Sequence, residues 1–145
     1  MKRLSEFRNE PYTDFTVPAN RERMLAAQEK VRGELGREYP LLIGGEQLFS
    51  DDKQKSLNPS RPSEVVGTVQ KATPEMAERA VLAAYEYFPE WSRTPASLRI
   101  EMLVKTAAIL RERKNEFNAW LAFEAGKTWP EAEGEVAEAV DFCEY

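Results

Sequence analysis

The sequence contains no histidine and one cysteine, Cys143, in 145 residues. Without histidine there is no Ser-His-Asp or Cys-His catalytic unit. The commonest transition-metal ligand is missing too, and one cysteine cannot build a zinc site or an intrachain disulfide. Such cysteine usage fits a reducing compartment, and a cytoplasmic location is expected. No apolar run approaches the roughly 18–20 residues that span a bilayer. The opening MKRLSEFRNEPYTDF has basic residues but no apolar core of a signal peptide. Neither G-x-G-x-x-G nor G-x-x-x-x-G-K-[ST] occurs, so both common phosphate cradles are missing. With 25 acids against 20 bases and a pI near 5.0, a basic nucleic-acid footprint is not expected.

What is present reads as a globular chain: 42% hydrophobic and 31% charged residues. Pro11 and Pro18 punctuate an extended arm over 1–18, whose Phe7, Tyr12, Phe15 and Val17 call for burial. Asn20 is a plausible N-cap for an amphipathic helix with Met24, Ala27, Val31 and Leu35 on one face, stopping at Gly36. YPLLIGGEQLF predicts a hairpin turning at Gly44-Gly45. SDDKQKS reads as a polar loop, and Val65, Val66 and Val69 as a strand. Thr73-Pro74 starts a helix with Ala77, Ala80, Val81, Ala84 and Phe88 as its buried stripe, ending or bending near Pro89. A second Thr-Pro pair, Thr94-Pro95, opens one long helix from Ala96 to Ala125, closed by Gly126. The expected organisation is an arm and helix over 1–36, short antiparallel strands over 37–71, and a helical part over 72–145.

The last fifteen residues, EAEGEVAEAVDFCEY, carry six acids and no base. The segment itself offers nothing to meet these acids.

The ordered set LNPSRPSEVVGTV, ATPEMAERAVLAAYEYFPEW, LRIEMLVKTAAILRERKNEF and FEAGKTWPEAEGEVAEAVDFCEY resembles the amino-terminal portion of the aldehyde dehydrogenase superfamily. FRNEPYTDF, YPLLIGGE and VAEAVDFCEY look most like its L-glutamate γ-semialdehyde (1-pyrroline-5-carboxylate) dehydrogenase branch. The resemblance implies an α/β fold of which this chain is the mostly helical amino-terminal part, with a short hairpin and strand segment. The 72–145 block would then be an incomplete part of the NAD-binding domain, and its acidic end an internal helix whose acids are met by segments beyond Tyr145. It implies an NAD-dependent oxidation of the semialdehyde to glutamate in proline degradation, by a homo-oligomer. The nucleophilic Cys, the general-base Glu and the cofactor-binding turn of the family match nothing in this chain. Catalytic, cofactor-binding and metal residues are therefore expected to be none here, and the chain alone is expected to be inactive. A non-catalytic helical interaction module of the same ancestry is the alternative.

Glu138 is the one residue given a site role. By resemblance it matches a position at the aldehyde pocket, where a carboxylate would bind the substrate's amino group or orient water. Cys143 is expected to be structural, because no Lys or Arg lies within one turn to favour a thiolate. Glu124 and Lys127 read as helix-end charges. Lys105, Arg111, Arg113 and Lys114 read as a solvated ion-pair face with Glu101, Glu112 and Glu116.

Overall fold

The computed structural model describes residues 6–145, so the first five residues of the expected arm lie outside the described part. Five helices and five short strands follow the order α1 (Pro18–Arg32), β1 (Arg37–Tyr39), β2 (Leu41–Ile43), β3 (Glu46–Leu48), β4 (Lys53–Asn58), β5 (Arg61–Gln70), α2 (Pro74–Arg93), α3 (Ala96–Glu112), α4 (Lys114–Ala125) and α5 (Trp129–Glu144). The chain divides into two compact units. One joins the residues up to Glu34 with Pro95–Tyr145, and the other is Leu35–Thr94. The expected boundary at 71/72 therefore falls inside a unit.

In the Leu35–Thr94 unit, β2 and β3 form the expected hairpin, with Leu41 opposite Leu48 and Ile43 opposite Glu46. Gly44 and Gly45 take positive φ values of 59° and 84°, the region only glycine enters without strain. The other sheet has the order β1-β5-β4. Two readings are corrected there. The polar segment expected as a loop supplies β4, antiparallel to β5 from Lys53 opposite Gln70 onward. Its main chain pairs although its side chains show no apolar alternation. The strands are also not all antiparallel, since β1 runs parallel to β5 with Arg37 opposite Gly67. Buried Gln70 ties the piece together: Nε2 donates to Glu38 Oε1 (2.9 Å) and the Tyr39 carbonyl (3.1 Å), while Oε1 accepts from the Ser50 N–H (2.9 Å).

Helix α2 starts as the sequence indicates. The Thr73 side chain accepts from the Met76 N–H, and Pro74 occupies the first turn. It does not stop near Phe88 but continues through Pro89 to Arg93. Its last turn is supported from its own side chains: Ser92 Oγ donates to the Pro89 carbonyl and Thr94 Oγ1 to that of Glu90. The expected buried stripe is also corrected, since Val81 (69%) and Phe88 (60%) are exposed.

The other unit is helical. Buried Met24 and Val31 of α1, Ala107 of α3, Ala119 and Phe123 of α4, and Ala132, Val136, Ala137 and Val140 of α5 form its core. Small residues on α5 let both α3 and α4 pack against it. Each buried valine contributes on the order of 1.5–3 kcal/mol. The single long helix expected over 96–125 is broken at Arg113 (φ −101°, ψ 16°). A straight 30-residue rod would extend about 45 Å, and sixteen-residue α5 about half that. The break lets both halves use the same short partner. Asn20 does not cap α1. Val17 holds that position, and Asn20 Nδ2 donates to the Asp14 carbonyl instead (2.9 Å).

Candidate functional site

Helix α5 begins with a reciprocal cap. Glu131 Oε2 accepts from the Thr128 N–H (2.9 Å) and hydroxyl (2.8 Å), which holds the Glu131 carboxyl below its usual range. Gly126, at φ 66°, closes α4 and turns the chain into this start. The helix then presents its acids in sequence, and all but one are engaged by this chain.

Glu133 is the buried acid, 1% exposed. Its Oε1 accepts from the Thr13 main-chain N–H (2.7 Å) and pairs with Lys114 Nζ (3.2 Å). Oε2 accepts from Asn118 Nδ2 (2.7 Å). Burial pushes this carboxyl up, and the hydrogen bonds from Thr13, Asn118 and Lys114 outweigh it, so Glu133 is held below the usual carboxylate range. Lys114 also reaches Glu10 Oε1 (3.0 Å) and the Pro11 carbonyl (3.2 Å). Two turns further along α5, Asp141 accepts from the Glu10 main-chain N–H through Oδ1 (2.7 Å) and from Asn9 Nδ2 through Oδ2 (2.8 Å). Glu144 receives two bonds from the Arg111 guanidinium, 2.6 and 2.7 Å, while Arg111 Nε donates to Glu10 (2.7 Å). The Glu144 and Glu10 hydrogen bonds hold Arg111 still more firmly protonated, and Arg111 in turn lowers the Glu144 carboxyl. Glu135 is paired with Lys127.

The acidic helix was expected to be neutralised from outside this chain. All its acids but Glu138 are instead met inside it, by the Thr128 cap, by the arm and by Arg111, Lys114 and Lys127. The basic stretch on α3 and α4 is correspondingly not a plain solvated face: among the described residues only Arg113–Glu116 follows the expected local pairing. The arm meets α5 mainly through polar groups. Phe15 packs on Trp129 with ring centroids 5.5 Å apart and Phe7 meets Tyr145 at 5.6 Å. Tyr12, at 72% exposure, is not buried as expected, and Phe7 and Val17 are also exposed.

Glu138 is exposed and has no hydrogen-bond or ion-pair partner among the described residues. It lines an open cleft of about 820 Å³ with Asn9, Tyr12, Lys127, Glu131 and Asp141, among others. Arm, α4–α5 turn and α5 thus share one concavity, and Glu138 is its uncommitted carboxylate. Cys143 lies half-buried on α5 and is not among the cleft residues. The sequence reading singled out Glu138 but missed Glu133 and Asp141, whose partners sit more than 100 positions away. The only hint was the polar FRNEP segment placed within an arm.

A dinucleotide pyrophosphate calls for a helix amino terminus with free main-chain N–H groups. Helices α1, α2 and α5 each have proline in the first turn, and the N–H ends of α2 and α5 are faced by Thr73 and by Thr128 with Glu131. The starts of α2 and α5 are thus already occupied by side chains of this chain.

Comparison with known proteins bears on the same geometry. The model of the aldehyde dehydrogenase family matches residues 48–145. A 1-pyrroline-5-carboxylate dehydrogenase of Geobacillus thermodenitrificans is 56% identical over 142 residues, 98% of this chain and 28% of that protein. A variant of Thermus thermophilus 1-pyrroline-5-carboxylate dehydrogenase superimposes with TM-score 0.96 at 48% identity, over 100% of this chain and 28% of that one. A Thermus 1-pyrroline-5-carboxylate dehydrogenase with bound NAD gives TM-score 0.95, also at 48% identity, over 100% of this chain and 28% of its own. The chain thus spans little more than a quarter of the length of these relatives. With the fold matched from the hairpin through the acidic helix, the chain belongs to the aldehyde dehydrogenase family.

Proposed function

We propose that this chain serves as the amino-terminal portion of an NAD-dependent 1-pyrroline-5-carboxylate dehydrogenase, which oxidises L-glutamate γ-semialdehyde to L-glutamate in proline degradation. The observation that carries this reading is the 56% identity to such a dehydrogenase across 98% of the chain. The cleft chemistry agrees with it. Four carboxylates, Glu131, Glu135, Glu138 and Asp141, face one ammonium, Lys127, which is already paired with Glu135. A ligand entering there is favoured if it brings a positive charge, and the semialdehyde carries an α-ammonium. Glu138 is the acceptor for it. Oxidation at the aldehyde, and the use of NAD, belong to the larger part of the enzyme's length. A homo-oligomer in the cytoplasm completes the proposal.

The experiment is an NADH-formation assay with L-glutamate γ-semialdehyde, run in parallel on the 145-residue chain and on a polypeptide of the relatives' full length carrying it. Activity is expected only in the second. NADH formed by the 145-residue chain above a buffer blank overturns the division of labour. A full-length protein inactive on this aldehyde overturns the substrate.

A further inference from the structure

We propose that the arm segment Asn9–Thr13 is a working wall of the cleft above Glu138, and that Asp141 is the positioning residue that latches it there. The inference rests on the reading of Glu138 as the ammonium acceptor and adds what shapes the space around it. Asp141 lies three residues after Glu138, so both carboxylates emerge on neighbouring parts of one helical face. Both oxygens of Asp141 are spent on the arm, one on the Glu10 main-chain N–H at 2.7 Å and the other on Asn9 Nδ2 at 2.8 Å. The second anchor, Thr13 N–H to Glu133 at 2.7 Å, fixes the far end of the segment two turns earlier on α5. The stretch between the anchors is thereby laid along the helix, with Asn9 and Tyr12 lining the cleft. Tyr12 takes no part in holding the arm and makes no hydrogen bond or ring contact among the described residues. Engagement of Asp141 with the arm also leaves Glu138 as the carboxylate free to take a cationic ligand.

A wall held by a latch affects binding more than chemistry. In the full-length enzyme, Asp141→Ala is expected to raise KM for L-glutamate γ-semialdehyde, with the loss falling on KM rather than kcat. Discrimination, the kcat/KM ratio between this aldehyde and its des-amino analogue 5-oxopentanoate, is expected to fall about 10-fold, as for loss of one hydrogen bond to a charged group. Asp141→Asn keeps an acceptor for the Glu10 N–H, and an amide flip of Asn9 restores the side-chain bond, so this variant retains the ratio. Asn9→Leu, on an exposed residue where folding is not at stake, lowers the ratio without touching α5 and is not additive with Asp141→Ala. If Asp141→Asn loses as much as Asp141→Ala, the charge at 141 matters rather than the latch, and the inference is overturned. It is also overturned if Asn9→Leu and Asp141→Ala leave the ratio intact while Glu138→Ala collapses it. A ratio unmoved by Glu138→Ala overturns the reading of Glu138 itself, a failure distinct from that of the latch.

Discussion

The main-chain N–H of Thr13 donates to Glu133 Oε1 at 2.7 Å, a bond between residues 120 positions apart. Glu133 is 1% exposed and is also held by Asn118 and Lys114. Its removal strands three donors in a space with little water. Glu133→Leu is expected to destabilise the fold by about 3–5 kcal/mol, as for breaking a buried pair from one side. Glu133→Gln keeps an acceptor and is expected to cost about 1–3 kcal/mol. Urea unfolding with an unchanged m-value measures both, and equal losses for the two variants would show that the charge, rather than shape and a retained acceptor, holds the arm.

Glu116 gives the clearest pH signature. Hydrogen bonds from Arg113 and Lys30 lower its carboxyl from 4.5 to about 2. The folded state therefore binds this proton less readily than the unfolded state. The stabilisation is complete above about 4.5 and is lost as pH falls through about 2. Acid unfolding of Glu116→Gln is expected to be shallower than that of the parent over this window, with the two curves approaching each other at the acid end. Parallel curves throughout would remove Glu116 from the acid response.

A Cβ added at Gly67 would stand 2.9 Å from Tyr39 Cε2, across the parallel β1–β5 pairing. The tyrosine ring is 38% exposed and can swing away. Gly67→Ala is accordingly expected to cost only about 1 kcal/mol. In a Tyr39→Ser background the same change is expected to become neutral or stabilising, by up to about 1 kcal/mol, because the unfolded chain loses freedom. Thermal or urea melts of the four-member cycle decide it, and an unchanged cost without the ring refutes this account.

Glu138→Ala, in the full-length enzyme, is expected to lower kcat/KM for the semialdehyde about 10- to 150-fold, as for a lost bond to a charged group. Glu138→Gln is expected to lose less if shape suffices, and as much if the negative charge is what the ammonium needs. Glu112→Ala, an exposed acid on α3, is the control. Equal kinetics for Glu138→Ala, Glu112→Ala and the parent would reduce Glu138 to a surface charge.

Local signals were legible in the sequence and long-range ones were not. Thr73-Pro74 and Gly44-Gly45 act within a few residues through caps and turn angles, so the α2 start and the hairpin could be read directly. Strand β4 escaped because Lys53-Gln54-Lys55 pair through the main chain, which has no side-chain signature. The break at Arg113 carries neither Gly nor Pro and follows from the length of α5, a tertiary cause. The same limit separates the acids of α5. Glu133, Glu138 and Asp141 look alike in the sequence, yet one is buried, one is uncommitted and one is bonded to the arm, because the arm groups that engage Glu133 and Asp141 lie more than 100 residues earlier.

The interrupted order of the helical unit has a consequence in time. Residues 35–94 form a unit from consecutive chain, whereas the arm and α1 share their unit with residues 95–145. On a ribosome adding about 5–20 residues per second, Thr13 waits roughly 6–24 s before Glu133 has even been synthesised. During that interval the strand unit can complete itself while Met24 and Val31 of α1 have nothing of their own unit to pack on. The arm and α1 thus remain without their packing partners for longer than the middle of the chain that follows them.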